Sequence, residues 1–272
     1  MHKMIAYLCS VCGAAMVTKF SAHVLKRYEV NYYYCPRCGL LQTEEPYWLE
    51  EAYSAAISDT DTGLVARNIS ISRKLSCVLY FFFDKEGKYL DVAGGYGFLT
   101  RLMRDIGFDF YWSDKYCENL LARGFESIKT LQPFTAITAF EVLEHIHDPL
   151  AFIKESLSES GTKTIIFSSE LYEGVPPRPD NWLYYSFTTG QHISFYQKKT
   201  LCSIADNMGL HLHTNGDIHM LTDKTVNRFV YKILTGRFSS KLISLIVGRN
   251  MQSKTLSDNK TLMRSQGEIK SK

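Results

Sequence analysis

The chain has 272 residues, 45% hydrophobic and 22% charged, with a formal net charge of +3. That suffices for one α/β domain plus a small accessory module, and the hydrophobic share excludes wholesale disorder. No run approaches the ~20 apolar residues that cross a bilayer. Cys9 and Cys12 precede any stretch able to serve as a secretion signal, so a cytoplasmic protein is expected.

Residues 1–45 read as a four-cysteine module. Cys9-Ser-Val-Cys12-Gly13 and Cys35-Pro-Arg-Cys38-Gly39 are two CxxCG knuckles. Four thiolates so spaced suit a tetrahedral structural zinc, and the glycines permit the tight turn behind each pair. A redox CxxC would gain nothing from doubling. A closed thiolate shell leaves no open position for chemistry. Lys19, Lys26 and Arg27 with Tyr28, Tyr32, Tyr33 and Tyr34 could face nucleic acid, but the aromatics are expected to form the core of the module. The seven cysteines, an odd number, argue against a disulfide framework.

Residues 46–85 read as a helical linker, with Leu64–Phe83 carrying apolar positions at helical spacing. Residues 86–221 then alternate strand and helix. KYLDVA is a strand, GGYG a turn and FLTRLMRDIG an amphipathic helix. FDFYWSD is a second strand, KYCENLLARG a second helix and FESIKTL a weak third strand. FTAITAF, the helix DPLAFIKESLSES and the strand TKTIIFSSE follow. Such alternation implies parallel βαβ units. VPPRPDNW reads as an irregular loop, GQHISFYQKKTLCSIADNMGL as a short strand and helix, and LHLHTNGDIHML as closing strands. Residues 222–272 are a basic helical tail. From Lys224 onward there are eleven Lys/Arg and two acids, a local charge of +9 against −6 elsewhere. Such a tail could meet nucleic acid, an anionic membrane or an acidic partner.

The chemistry concentrates in Leu90-Asp91-Val92-Ala93-Gly94-Gly95-Tyr96-Gly97. Glycines let the backbone approach a ligand closely, and a helix N-terminus offers unpaired N–H groups. Asp91, near the strand end, suits a cationic amino group or an ordered water. The dinucleotide fingerprint does not fit, because Thr100 stands where its third glycine belongs. Asp114, ending the next strand, can accept both hydroxyls of a ribose. The alternative is an acidic turn capping a helix that begins near Tyr116.

LDVAGGYGFLT, SDKY and ITAFEVLEHIHDP together resemble the motif series of class I S-adenosylmethionine-dependent methyltransferases, over roughly residues 86–215. The resemblance implies a Rossmann-like fold with S-adenosylmethionine held by Asp91, Ala93, Gly95, Gly97, Asp114, Phe140 and Glu141. Ala93 departs from the glycine common there. The four-cysteine module ahead of the domain, and Trp182 with Gly190-Gln191-His192-Ile193-Ser194-Phe195-Tyr196, are similar to bacterial sugar and polysaccharide-cluster methyltransferases. This points to a sugar, nucleotide-sugar or glycan acceptor.

Methyl transfer requires alignment of nucleophile, carbon and sulfur, and a hydroxyl acceptor gains from a general base. Glu144, His145, His147 and His192 are candidates. His145 and His192 are favoured as a pair, because both fall at the expected carboxyl edge of the sheet. His147 is expected to orient the turn before Pro149. Glu141, Glu144, His145, His147 and Asp148 lack ligand spacing, so no metal is expected there. Tyr172, Tyr184 and Tyr185 line an acceptor pocket or pack the loop. Rival readings are a quinone or polyketide methyltransferase and a zinc-ribbon nucleic-acid binder with an inactive Rossmann domain. Phe238–Arg249, apolar with Lys and Arg, allows weak peripheral membrane contact.

Overall fold

A computed structural model describes residues 7–53, 61–265 and 267. The first six residues of the cysteine module, linker residues 54–60 and tail residues 266 and 268–272 lie outside the described residues.

The elements, in chain order, begin with β1 (Val17–Val24), β2 (Tyr28–Tyr34), β3 (Leu41–Thr43), α1 (Leu49–Ala52) and α2 (Leu64–Phe82). β4 (Lys88–Val92), α3 (Phe98–Ile106), β5 (Asp109–Ser113), β6 (Ala136–Ala139), α4 (Pro149–Ser160) and β7 (Ile165–Ser168) follow. β8 (Ser194–Phe195), α5 (Lys198–Met208), β9 (His211–Asn215), β10 (Ile218–Thr222), α6 (Arg228–Thr235), α7 (Ser239–Asn250) and α8 (Thr255–Ser265) complete them. One sheet runs β1-β2-β3-β8; elsewhere β5-β4-β6 lie side by side, and so do β7-β10-β9. This is the mixed α/β, Rossmann-like architecture that the strand–helix alternation implies.

The chain folds as two compact units. The first comprises Met1–Asp61, Ala139–Glu159 and Ile165–Thr225. Its antiparallel sheet extends from the cysteine knuckles and is completed from far along the chain, where Leu41 pairs with Phe195 and Gln42 with Ser194. The tyrosines of β2 build its core. Tyr32 is fully buried, stacks on Phe20 with ring centroids 4.6 Å apart, and meets Tyr185 edge-on at 6.0 Å. Trp48 is buried beside them and donates from Nε1 to the Gly190 carbonyl at 2.8 Å. In the same unit β7, β10 and β9 pair antiparallel, the closing hairpin expected from LHLHTNGDIHML.

The second unit comprises Thr62–Thr138, Ser160–Thr164 and Val226–Lys272. Here β4 pairs parallel with β5 and with β6. α2 buries Ile71, Leu75, Val78 and Leu79, an i, i+4, i+7, i+8 stripe. α3 starts from a left-handed Gly97 and stops at Gly107. It buries Leu99 and Met103, each contributing about 1.5–3 kcal/mol of transfer free energy.

Two expectations fail locally. KYCENLLARG forms turns, not a helix. Its polar side chains take the backbone N–H groups that a helix would use: Asp114 accepts from Tyr116 and Cys117, Asn119 from Ala122, and Glu126 from Gly124. The weak third strand FESIKTL shrinks to a single parallel bridge, Trp112 with Glu126, and a 3-10 turn at Lys129–Leu131. Among the described residues, no helix is long and apolar enough to cross a membrane.

Candidate active site

In the second unit, β4 delivers Asp91 to the carboxyl edge of the parallel strands. The side chain is buried, and its Oδ1 accepts from Thr138 Oγ1 at 2.6 Å. Burial pushes the Asp91 carboxyl up to about 7. The Thr138 hydrogen bond opposes the rise, the nearby Asp114 carboxylate adds to it, and Thr100 opposes it. The turn after β4 places Ala93, Gly95 and Gly97 at φ of 55°, 54° and 82°. Gly95 and Gly97 suit this left-handed region, whereas Ala93 bears the Cβ strain. A Cβ on Gly97 would come within 2.7 Å of Asn119 Oδ1. A Cβ on Gly95 would meet no other protein atom within 4 Å, so space is open beside its Cα, while its N–H and carbonyl are taken by Asp114 and Trp112.

Asp114 immediately follows β5 and performs two tasks. Its Oδ2 accepts from Gly95 N at 2.9 Å, tying it to the glycine turn. Its Oδ1 accepts from the N–H groups of Tyr116 at 2.7 Å and Cys117 at 2.9 Å, which fixes a turn where the sequence suggested a capped helix. Asp91, Gly95 and Asp114 therefore converge. Two carboxylates beside the open space at Gly95 suit a ligand bearing an ammonium and a ribose, the donor set of S-adenosylmethionine. Sequence reasoning missed Thr138, which the pairing of β6 with β4 sets opposite Asp91.

In the first unit, the segment following β6 carries Phe140 and Glu141. Glu141 has φ 58°, an unusual conformation for a non-glycine residue. Ser168 Oγ holds it from both ends, accepting from Glu141 N and donating to Oε1, each at 2.8 Å. Residues 143–146 are pinned by the β8 segment. Ile193 N donates to the Glu144 carbonyl at 2.8 Å, Ser194 Oγ to Ile146 O at 2.7 Å, and Tyr196 OH to Leu143 O at 2.6 Å.

That pinning brings His192 to Glu144 and His145, although the two histidines lie far apart along the chain. The imidazole rings meet edge-to-face with centroids 4.9 Å apart. His145 Nδ1 lies 3.0 Å from Gln191 O and 2.9 Å from Tyr53 OH. His192 Nδ1 lies 2.6 Å from Tyr184 O. A peptide oxygen only accepts, so for His192 Nδ1 carries the proton and Nε2 bears the lone pair, whereas His145 Nδ1 meets both a carbonyl and the Tyr53 hydroxyl. Burial, then the neighbouring His192, pushes the His145 imidazole down to about 3, so this ring is neutral at physiological pH. Tyr184 lies against His192 with ring centroids 4.7 Å apart, and burial raises its hydroxyl well above the usual phenol range. Tyr53 carries no recognisable signal in the sequence.

His147 lies apart from this cluster. Its Nε2 is 3.0 Å from Tyr7 OH, and its backbone carbonyl accepts from Gln42 Nε2, so it ties the turn to the cysteine-bearing segment. Tyr172 and Tyr185 belong to the buried aromatic core.

Cys9, Cys12, Cys35 and Cys38 converge with all four Sγ atoms within 4.8 Å of one another. Both knuckles repeat one turn: Gly13 N donates to Cys9 O and Gly39 N to Cys35 O, each at 2.8 Å. Both glycines have positive φ, 69° and 77°. Four thiols in this arrangement fit a tetrahedral zinc.

A family profile described as a methyltransferase domain matches residues 68–215, more than half the chain. No curated protein matches. Among solved structures, the chain is similar to TnmH at 14% identity and TM-score 0.43, covering 65% of this chain and 60% of that one. It is similar to an O-methyltransferase family 2 protein from Planctomyces limnophilus in complex with apigenin, at 14% identity and TM-score 0.40, covering 64% of each chain. Magnesium protoporphyrin IX methyltransferase from Synechocystis with bound SAM matches at 14% identity and TM-score 0.38, covering 65% of this chain and 90% of that one. The matched region thus spans less than two-thirds of the first two proteins, and likeness this remote says nothing about the acceptor.

Proposed function

Because the chain belongs to the methyltransferase-domain family, we propose that it uses S-adenosylmethionine to methylate a hydroxyl of a sugar, nucleotide-sugar or glycan. The bound cofactor supplies a methyl group already activated on a sulfonium, so the protein's work is binding, orientation and activation of the acceptor. Asp91 faces the cofactor's ammonium and Asp114 its ribose, while the Ala93–Gly97 turn admits the amino-acid part beside the Gly95 Cα.

On the acceptor side, Glu144, His145 and His192 are the electron-pair donors that activate the hydroxyl. The observation that carries this assignment is the convergence of the two imidazoles beside Glu144, each with Nδ1 against a backbone carbonyl. The polar surroundings, with Gln191 and Tyr184, suit a sugar better than a flat apolar ring. Residues 1–45 are a zinc module whose metal is structural, residues 46–85 a linker, 86–221 the catalytic domain and 222–272 a basic tail. The protein works in the cytoplasm without nucleic acid. The tail exposes Phe238, Leu242 and Leu245 among its lysines and arginines, which suits at most weak membrane contact.

The test is transfer of labelled methyl from S-adenosylmethionine to a panel of nucleotide-sugars, with quinones and polyketides as comparators. Labelling confined to the sugars, and lost in His192→Gln, supports the reading. Labelling confined to the comparators refutes the sugar acceptor.

A further inference from the structure

The reading of Glu144, His145 and His192 as the acceptor-activating group leaves open how three donors act together. Each offers a ligand atom, and these atoms lie within 4.8 Å of one another. We propose that they form a divalent-cation site, separate from the four-cysteine cluster, whose remaining positions take two neighbouring oxygens of the acceptor. This inference rests on the acceptor-side assignment given under Proposed function.

Three observations carry it. The donors are one carboxylate and two imidazoles, which suits the intermediate first-row cations, whereas the thiolate cluster selects zinc. Both imidazoles are oriented by backbone carbonyls at Nδ1, Gln191 O at 3.0 Å and Tyr184 O at 2.6 Å. For His192 that outer contact favours the tautomer in which Nε2 is the ligand nitrogen, and His145 Nδ1 is further held by the Tyr53 hydroxyl at 2.9 Å. The backbone is set in advance as well: Ile193 N on Glu144 O, Ser194 Oγ on Ile146 O and Tyr196 OH on Leu143 O join the two ligand-bearing segments. Little ordering remains to oppose binding.

Three protein ligands leave coordination positions open, unlike a closed shell of four thiolates. An acceptor with adjacent hydroxyls, such as a vicinal diol, would occupy two of them. A bound cation would lower the hydroxyl pKa and fix which oxygen is presented. The local spacing between Glu141 and Asp148 suits no metal by itself. The ligand it lacked, His192, lies in another part of the chain.

The experiment uses full-length protein brought to one zinc per chain, which the four thiolates hold, and titrated with Mn2+, which thiolates bind poorly, with the paramagnetic resonance of unbound Mn2+ as the readout. S-adenosylhomocysteine binding is measured on the same samples. We expect one Mn2+ per chain, with affinity weakened at least ~10-fold in Glu144→Gln and in His192→Gln and unchanged in Lys224→Ala. In the wild type, spin-echo modulation from imidazole nitrogen should accompany binding, and this holds whether or not the variants fold. Absence of Mn2+ binding, binding without nitrogen modulation, or binding that folded variants leave unchanged would each overturn the site. Wild-type protein that takes up Mn2+ but not S-adenosylhomocysteine would refute the methyltransferase reading while keeping the cation site. The converse would refute only the cation.

Discussion

Asp91 couples the cofactor reading to pH. Its buried carboxyl is raised to about 7, against an ordinary value near 3.9. The unliganded fold therefore favours the protonated form. Its contribution to stability is complete below about pH 4 and is lost as the pH rises through 7. A bound ammonium reverses the preference, so binding expels the proton. Affinity for S-adenosylhomocysteine should rise by up to ~10-fold per pH unit toward pH 7 and level off above it. Calorimetry from about pH 5.5 to 8 in buffers of different ionisation enthalpy measures both the affinity and the proton released. A flat profile would remove Asp91 from the ammonium.

Ala93 gives a second residue-scale test. Its φ of 55° costs about 1–2 kcal/mol, which Ala93→Gly relieves at the expense of chain entropy. That variant should melt within a few degrees of wild type. Ala93→Val, β-branched in the same conformation, should lower the melting temperature clearly. Equal melting of the two variants would mean the turn is not held in this conformation in solution.

At the scale of elements, α8 is fastened by Asp258. Its carboxylate takes a bidentate pair from Arg104, Nε at 2.8 Å and Nη2 at 2.7 Å, and a further bond from Arg101 at 2.9 Å. Burial raises the Asp258 pKa, but Arg104 and Arg101 outweigh it and hold the group below its usual value. The ion pair thus stabilises above the ordinary carboxylate range and fails as acid protonates Asp258. Asp258→Ala should cost about 1.5–3 kcal/mol, the loss of hydrogen bonds between charged groups, because Arg104 would stay buried with Asp109 at 2.9 Å as its remaining partner. Denaturant unfolding measures this, and a loss under about 1 kcal/mol would show the tail undocked in solution. The second knot is the cysteine cluster. Chelation, or Cys35→Ser, should release one zinc and lower the thermal stability of the β1-β2-β3-β8 sheet.

The elements were unevenly legible. β4, α3, β6, α4 and the β9–β10 hairpin could be read directly, because each has a clean apolar period and a glycine or polar boundary. Residues 115–124 misled, since Leu120, Leu121 and Ala122 have helical composition. Asp114, Asn119 and Glu126 spend their side chains on the local backbone, a competition that propensity does not record. Asp91, Gly95, Asp114 and the four cysteines announced themselves by spacing within short motifs. Tyr53 and Thr138 could not, because pairings of the folded chain place them. The likeness between His145 and His192 was visible, but their contact depends on β8 pinning residues 143–146.

For the molecule as a whole, the central claim is that the glycine turn and its two carboxylates hold S-adenosylmethionine. The family match over residues 68–215 and the geometry of Asp91, Gly95 and Asp114 support it independently. The acceptor, the cation and the tail all build on that claim. The most direct measurement is a calorimetric titration of zinc-loaded protein with S-adenosylhomocysteine, which needs no acceptor, beside the Asp114→Ala variant. The account predicts micromolar binding at one site per chain, weakened at least ~10-fold in a folded Asp114→Ala protein, as loss of hydrogen bonds to a charged group implies. Folded wild-type protein that takes up no S-adenosylhomocysteine, or an Asp114→Ala variant that binds it as well as wild type, would contradict it.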